Sequence, residues 1–471
     1  MNPPPTRLWD KGAALDELVH RFTVGDDPHW DHYLVHWDCL GSAAHAHTLA
    51  RAGLLTSAER DTLLAGLAEI DARDHVGQFS IPPELEDGHT AIEAFLTRHC
   101  GSAGEKIHAG RSRNDQVATA MRLCLRHHAL RWLDGLAAFG GTCLERAQRD
   151  GDVAMPGYTH MQAAMPSSVG QWLMAVAEAI LEQMSATLDL LARLDSCPLG
   201  TGAGFGVPLP LDRAYTAALL GFARAQRNPL DVQNSRGRME KYFVRVGVDT
   251  AAILEKLSWD LLLFSTAELG FFGLPESLTT GSSLMPQKRN PDVLELLRAH
   301  SARLRARVVE IEWIAGKLPS SYHRDLQLTK EPSIRTALDV TELLAVAARV
   351  IATFTLDREK LAAALRPELY ATHAALALVR DGVPFRQAYR RVAEELRSGS
   401  FHPPDLPRWQ AEAQQRCAAG LDEVEAELAT MQARGAEVAA RVSHAEAALL
   451  PPAARGDDTS PKDPPTRNED A

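Results

Sequence analysis

Apolar residues recur at helical spacing over stretches much longer than one globular core requires. This constrains the chain more than any other feature. Within residues 115–150 the pattern runs through Val117, Met121, Leu125, Leu130, Leu133 and Leu136. Within 167–195 it runs through Trp172, Val176, Ile180, Met184, Leu188 and Leu191, mostly four apart. A helix of about 28 residues is roughly 42 Å long, well beyond the usual three or four turns. Residues 238–270, 291–316 and 331–355 carry three more such patterns. No convincing run of strand-like alternation interrupts them. The expectation is an all-α fold around a central bundle of five long antiparallel helices. Their apolar stripes lie on more than one side, which predicts that the bundle also buries a face against copies of itself.

The flanks are less regular. Residues 41–73 predict two helices, the second capped by Thr56 or Ser57. Residues 81–110 predict a shorter helix around Ala91–Cys100 and a Gly-rich turn. After Asp357 the helices are expected to shorten, with breaks at Pro367, at Gly382–Pro384 and between Ser398 and Pro407. A length of 471 residues accommodates two or three domains. The expected division is an N-terminal helical domain (1–110), a central bundle that forms the oligomer core (111–357), a small C-terminal helical domain (358–450) and a disordered tail rich in Pro, Asp, Lys and Gly (451–471). A net charge of −11 gives no support to a nucleic-acid partner. No apolar run of about 18 residues predicts a membrane span. The start Met1–Arg7 lacks the apolar core of a signal peptide. Six cysteines without a Cys-x-x-Cys pair read as free thiols in a reducing, cytoplasmic setting rather than as a zinc site or disulfide framework.

Chemistry concentrates in five loops. The first is Glu86-Asp87-Gly88-His89-Thr90. The second, residues 108–117, places Arg111, Arg113 and Asn114 just ahead of a helix. Guanidinium forks and backbone N–H groups there make a carboxylate site, although Asn114 could equally be a plain N-cap. The third, residues 157–162, carries Thr159 and His160 in a Gly/Pro-bounded loop, and histidine is the side chain best suited to proton transfer near neutral pH. The fourth, residues 279–292, combines Gly281, Ser282 and Ser283 with Lys288 and with Asn290-Pro291, which predicts a helix start with Asn290 as cap. A hydroxyl, a cation and an amide hinged onto a long helix suit a lid over an anionic substrate. Taken alone the loop could also be a connector. Glu295 follows on the helix. The fifth, residues 322–332, carries Tyr322, Gln327 and Lys330.

The order Gly-Ser-Ser-x-Met-Pro-x-Lys-x-Asn-Pro resembles the lid loop of the fumarase/aspartase superfamily. Gly110-Arg-Ser-Arg-Asn-Asp-Gln, Gly157-Tyr-Thr-His and Tyr322-x-Arg-Asp-Leu-Gln-x-x-Lys narrow the resemblance to the argininosuccinate lyase family, which includes the lens δ-crystallins. It covers about residues 38–395. The resemblance implies a three-domain subunit in a homotetramer, with each active site assembled from loops of three subunits. It implies elimination of fumarate from a small-molecule substrate, argininosuccinate, to leave arginine. No metal or organic cofactor is called for, because the substrate carries its own electron sink.

Carried over residue by residue, the resemblance implies Ser282 and His160 as the proton-transfer pair. Ser282 is favoured as base, His160 as acid or relay, and Glu295 orients the histidine, from another subunit. Lys288 and Asn290 would face the developing charge. Arg113, Asn114 and Thr159 would hold the fumarate half. Asp87, His89, Tyr322, Gln327 and Lys330 would contact substrate as well. Counting back from Gly41-Ser42 places Asp31 in a family aspartate position and Asp27 where the family has serine, a contact replaced or lost here. Ala109 stands for the usual Thr or Ser, and Ser235-Arg236-Gly237 keeps Arg236, another expected substrate contact, but loses an aspartate. These departures fall on the arginine end. Two other readings are a lyase for another amine, adenylosuccinate being the nearest, and a non-catalytic crystallin-like homologue.

Overall fold

The computed structural model describes residues 16–403 and 406–450, so the expectations for the extreme N-terminus and for 451–471 lie outside the described residues. Nine helices organise the rest: α1 (Val35–Arg51), α2 (Ser57–His75), α3 (Gly88–Cys100), α4 (Arg113–Asp150), α5 (Val169–Leu194), α6 (Arg238–Phe264), α7 (Asp292–Ala315), α8 (Lys330–Thr353) and α9 (Leu406–Leu449). With 38 residues, α4 is about 57 Å long. It packs against α5 and α8, while α6 packs against α5, α7 and α8. The all-α bundle predicted by the periodicity is the observed architecture.

The bundle is locked by a few large side chains. Trp132 of α4 is fully buried and stacks on Phe243 of α6 at 4.1 Å between ring centroids. Its Nε1–H donates to the Ala337 carbonyl of α8 at 3.2 Å, so the ring is buried without stranding its donor. Gly247 lets α6 approach α8: a Cβ there would lie 2.9 Å from Thr336 Cγ2.

Helix starts are fixed by side chains. Thr56 and Glu59 form a capping box for α2, and Ser112 and Asp115 form one for α4. Asp115 is fully buried, and its Oδ2 accepts from the backbone N–H groups of Gly200, Thr201 and Gly202 at 3.0, 2.9 and 2.8 Å. That contact pins the start of α4, and with it Arg113 and Asn114, to a distant loop. Asn114 therefore sits inside the first turn, and Ser112 is the cap.

Three observations differ from the sequence expectations. A β-hairpin, β1 (Ala154–Thr159) with β2 (Gln162–Ser168), joins α4 to α5. Pro156 faces Pro166 across it, and the register shifts between Gly157 and Tyr158. Proline ordinarily argues against a paired strand, and the shift destroys alternation, so no strand pattern was legible. Next, Asn290 does not cap α7. That helix begins at Asp292 after Pro291, without a side-chain cap; Asn290 is held across the loop, its backbone bridged to Thr280 and its side-chain amide donating to the Gly281 carbonyl.

Finally, the helices shorten only through Arg358–Ala364, whose Leu361 joins the main core, and through Ala371–Arg380 and Phe385–Arg397, which gather around a small separate core including Tyr370, Val392 and Trp409. The 44-residue α9 returns to the bundle and lies on α4 and α5, adding Val424, Leu428 and Met431 to the main core. Gly435 makes the approach possible, since a Cβ there would meet Leu133 at 2.2 Å. Arg441 ties its far end down by donating to the Gly221 carbonyl at 2.6 Å and pairing with Asp195 at 2.7 Å. No helix among the described residues is long and apolar enough to cross a membrane.

Candidate active site

The first, second and fifth loops meet at one end of the bundle, where the N-termini of α3, α4 and α8 converge with the segment before α1. Arg113 Nη1 lies 3.1 Å from Asp87 Oδ2 and 3.5 Å from Glu86 Oε2, and its Nη2 donates to Thr90 Oγ1 at 3.1 Å. Asp87 caps α3 by accepting from the Thr90 N–H and hydroxyl, both at 2.8 Å. Burial pushes the Asp87 carboxyl up, but the charges of His89 and Arg113 and the two Thr90 bonds outweigh it, so it sits below the ordinary carboxylate value. His89 is buried with Nδ1 3.3 Å from Asp38 Oδ1. Burial holds both toward their neutral forms, lowering His89 to about 4 and raising Asp38 well above its usual value. Arg111 donates to Ser42 Oγ at 2.8 Å, and burial lowers it only to about 10, so it remains a cation at neutral pH.

Lys330, at the start of α8, is the centre of this end. Its Nζ lies 2.6 Å from Asp31 Oδ1 and 3.0 Å from Asp27 Oδ1. Asp31 Oδ2 accepts the Gly88 N–H at 2.9 Å, which links Lys330 to the loop that holds Arg113. Burial acts to lower the Lys330 ammonium, but the two carboxylates outweigh it and raise the group. Gln327 donates to the carbonyls of Thr23 and Val24 at 3.3 and 3.1 Å. Arg324 also donates to Thr23, at 2.9 Å. Arg236 is buried and donates to Glu240 at 3.1 Å and to the Leu326 carbonyl at 3.2 Å, so it supports the fifth loop from beneath. Tyr322, half-buried, precedes that support.

The remaining candidates lie on two exposed projections. Thr159 and His160 occupy the end of the β1–β2 hairpin, where His160 and Met161 both adopt positive φ, 53° and 61°. That left-handed pair makes the tight turn that presents the imidazole. The 279–292 loop is closed at its base by a bridge between Thr280 and Asn290. At its tip, Ser282 Oγ accepts from the N–H groups of Leu284 and Met285 at 3.3 and 3.1 Å. Lys288 is exposed on the same loop, and Glu295 is exposed in the first turn of α7. Among the described residues, no hydrogen bond or ion pair joins the hairpin tip, the 279–292 loop and the Lys330 cluster to one another.

The structure thus brings Asp31, Asp87, His89, Arg113 and Lys330 together within one chain, with Asn114, Gln327 and Tyr322 on the adjoining segments. Among the described residues, Thr159–His160 and Ser282–Asn290 make no hydrogen bond or ion pair to that cluster or to each other. The sequence reading did not single out Glu86 and Thr90, which flank Arg113. The adjacent acids Glu86-Asp87 were the available signal. Nor did it foresee the Asp27–Lys330 contact, across 303 positions of chain.

Residues 14–306 match the profile of a family described as Lyase. The chain is 45% identical to an argininosuccinate lyase of Sorangium cellulosum over 390 residues, covering 83% of this chain and 90% of that protein. It is 40% identical to that of Thermotoga neapolitana, covering 83% and 98%. Among solved structures, an EDDS lyase variant with bound fumarate superposes with a TM-score of 0.76 at 25% identity, covering 93% of this chain and 95% of that one. A class II fumarase from Schistosoma mansoni superposes with a TM-score of 0.70 at 17% identity, covering 87% and 94%, and shares the fold. With its bundle, its loaded loops and these relatives along most of its length, the chain belongs to the argininosuccinate lyase family of the fumarase/aspartase superfamily.

Proposed function

We propose that this chain cleaves argininosuccinate into arginine and fumarate, the step that releases arginine in its biosynthesis, in the cytoplasm. The observation that carries the reading is the 40–45% identity to argininosuccinate lyases over most of the chain, with Ser282, His160, Lys288 and Asn290 all present in their loops. In the reaction a proton leaves the carbon beside a succinyl carboxylate and the guanidino nitrogen leaves the neighbouring carbon. The proton is a very weak acid, so the carboxylate that takes up the charge has to be met by cations and N–H donors. Lys288 and Asn290 supply these from the lid, while Arg113, Asn114 and Thr159 hold the succinyl half.

Ser282 is the base. The two N–H groups that its oxygen already accepts at 3.1 and 3.3 Å favour the alkoxide over the hydroxyl. His160 protonates the leaving nitrogen, directly or through water, and Glu295 orients its ring. The separation of the three groups within one chain supports a site shared between subunits. So do Trp259, Leu296, Val309 and Trp313, large apolar residues exposed along α6 and α7, with Trp313 74% exposed. We assign the assembly as a homotetramer whose core is the 111–357 bundle joined by α9, with 1–110 and the short helices before α9 as flanking parts.

Fumarate release, followed by ultraviolet absorbance, tests the reading. Argininosuccinate should give the signal and adenylosuccinate should not. The reverse result would make the chain a lyase for the other amine, and silence with both would make it a non-catalytic homologue. Ser282→Ala should lower kcat by about 10³-fold or more with the assembly intact. Near-normal turnover in that variant would remove Ser282 from the base role.

A further inference from the structure

Tyr322, a proposed substrate contact, makes no hydrogen bond among the described residues, so the backbone that carries it sets its place. That backbone is thinly held. From Pro319 to His323, the one backbone N–H with a partner among the described residues is that of Ser321, which donates to Asn234 Oδ1 at 2.8 Å. The Asn234 amide in turn donates to Ser320 Oγ, at 3.4 Å. Ser321 has φ 90°, in the left-handed region that an L-residue enters only against its own Cβ. Such a conformation persists where neighbours hold it, and Asn234 is the neighbour that does. It ends the short helix Pro229–Asn234 and is exposed, so it is no part of the core. Two further contacts bring it within reach. Arg236 donates to the Leu326 carbonyl at 3.2 Å. Gly237, with φ 74°, lies against the end of α7, where a Cβ would collide with that of Ala315. Residues 234–237 thus grip the connection between α7 and α8 at its start, immediately before Tyr322 and four residues beyond it.

Taking the lyase reading above as its basis, we propose that Asn234 is a positioning residue: by accepting the Ser321 N–H it holds that residue left-handed and aims the next side chain, Tyr322, at the substrate. The allowed backbone regions are separate wells, so a released Ser321 does not drift but switches to an extended or right-handed conformation. The chain then leaves Ser321 in another direction, and the Tyr322 hydroxyl goes with it. Arg236 holds the connection at Leu326 in either case, so the change is confined to the few residues around Tyr322. Asn234 touches no reacting atom, and its effect reaches the reaction only through Tyr322. An asparagine suits the task because its oxygen accepts from Ser321 while its amide donates to Ser320.

The test measures kcat and KM for argininosuccinate in the full-length protein. Asn234→Ala should raise KM by about tenfold with kcat little changed and the assembly intact, as loss of one well-placed hydrogen bond to substrate does. Asn234→Asp, which keeps an acceptor for the Ser321 N–H, should hold KM within about threefold of wild type. Tyr322→Phe should raise KM as Asn234→Ala does, and the double variant should be no worse than either single one, because both remove the same contact. Adding Ser321→Gly to Asn234→Ala should recover at least about threefold in KM, since glycine enters the left-handed region with no Cβ to oppose it. A merely structural role for Asn234 would give additive losses and no rescue by glycine, and either result overturns the proposal. So does an unchanged KM in Asn234→Ala or in Tyr322→Phe. If Asn234→Ala folds poorly, Asn234→Ser decides in its place, its hydroxyl lying one bond short of the Asn234 oxygen. No fumarate from argininosuccinate with wild type would instead overturn the lyase reading itself.

Discussion

His45 makes one hydrogen bond, between Nε2 and the Ala109 carbonyl at 2.9 Å, from a fully buried position. Nε2–H is therefore the donor. Burial, with the nearby Arg111 cation adding to it, lowers its pKa well below the ordinary 6.5. The unfolded chain takes up a proton at this residue below about pH 6.5 and the folded chain does not. The stability that His45 contributes is thus present above that pH and is lost as pH falls. Urea unfolding between pH 7 and 5 should show a loss approaching about 1.4 kcal/mol per pH unit from this group. In His45→Gln, which keeps an N–H for Ala109, that part of the slope should vanish. An unchanged slope would show that the ring is protonated in the folded state.

Residue identity was more legible at these sites than residue partnership. The placement of Arg113 before a helix could be read from spacing, because the cap and the helix that follow are local. The partners of Arg113 and Lys330 come from distant segments, and nothing in either neighbourhood specifies them. Asn290 shows the opposite failure. Asn-Pro is a sound local cap signal, but the pairing of Asn290 with Thr280 and Gly281 across the loop outcompetes it.

Among the elements, the five long helices between α4 and α8 were read within a few residues of most of their ends, since burial along α4, α5 and α8 repeats a period that the sequence displays, whereas the 44-residue α9 was not. The β1–β2 hairpin was not, because its turn is made by residues that rarely make one. Met161 is exposed and left-handed, a conformation that costs an L-residue about 1–2 kcal/mol. Glycine adopts it freely but brings more freedom to the unfolded chain. Met161→Gly should therefore raise stability by about 0.5–1 kcal/mol, visible as a higher Tm. No gain would mean that the tip relaxes out of this turn in solution. The 279–292 loop contrasts with the hairpin, since its base is pinned by the Thr280–Asn290 bridge while its tip stays exposed. A lid movement of the kind proposed above asks for a rotation of the stem and a reordering of few residues.

For the whole molecule, the sequence indicated that long helices with several apolar sides would associate, and the exposed Trp259 and Trp313 faces agree with that inference. If the sites are shared, two inactive variants should repair one another. Ser282→Ala and His160→Asn homo-oligomers, unfolded together and refolded as a mixture, should regain a measurable fraction of wild-type fumarate release, because some hybrid sites draw both intact residues from different chains. Mixtures as inactive as either parent would place Ser282 and His160 in the same subunit's contribution. The path of α9 could not be read from the sequence, because its partners lie some 250–300 positions earlier. That path also bears on biosynthesis. The faces of α4 and α5 that receive Leu428 and Met431 leave the ribosome long before α9 is translated, so they must wait, covered by something else or by nothing, while the rest of the bundle forms. The contact of highest sequence separation is made last, and the nascent chain is most open to aggregation, and most in need of a chaperone, in the interval before its final helix emerges.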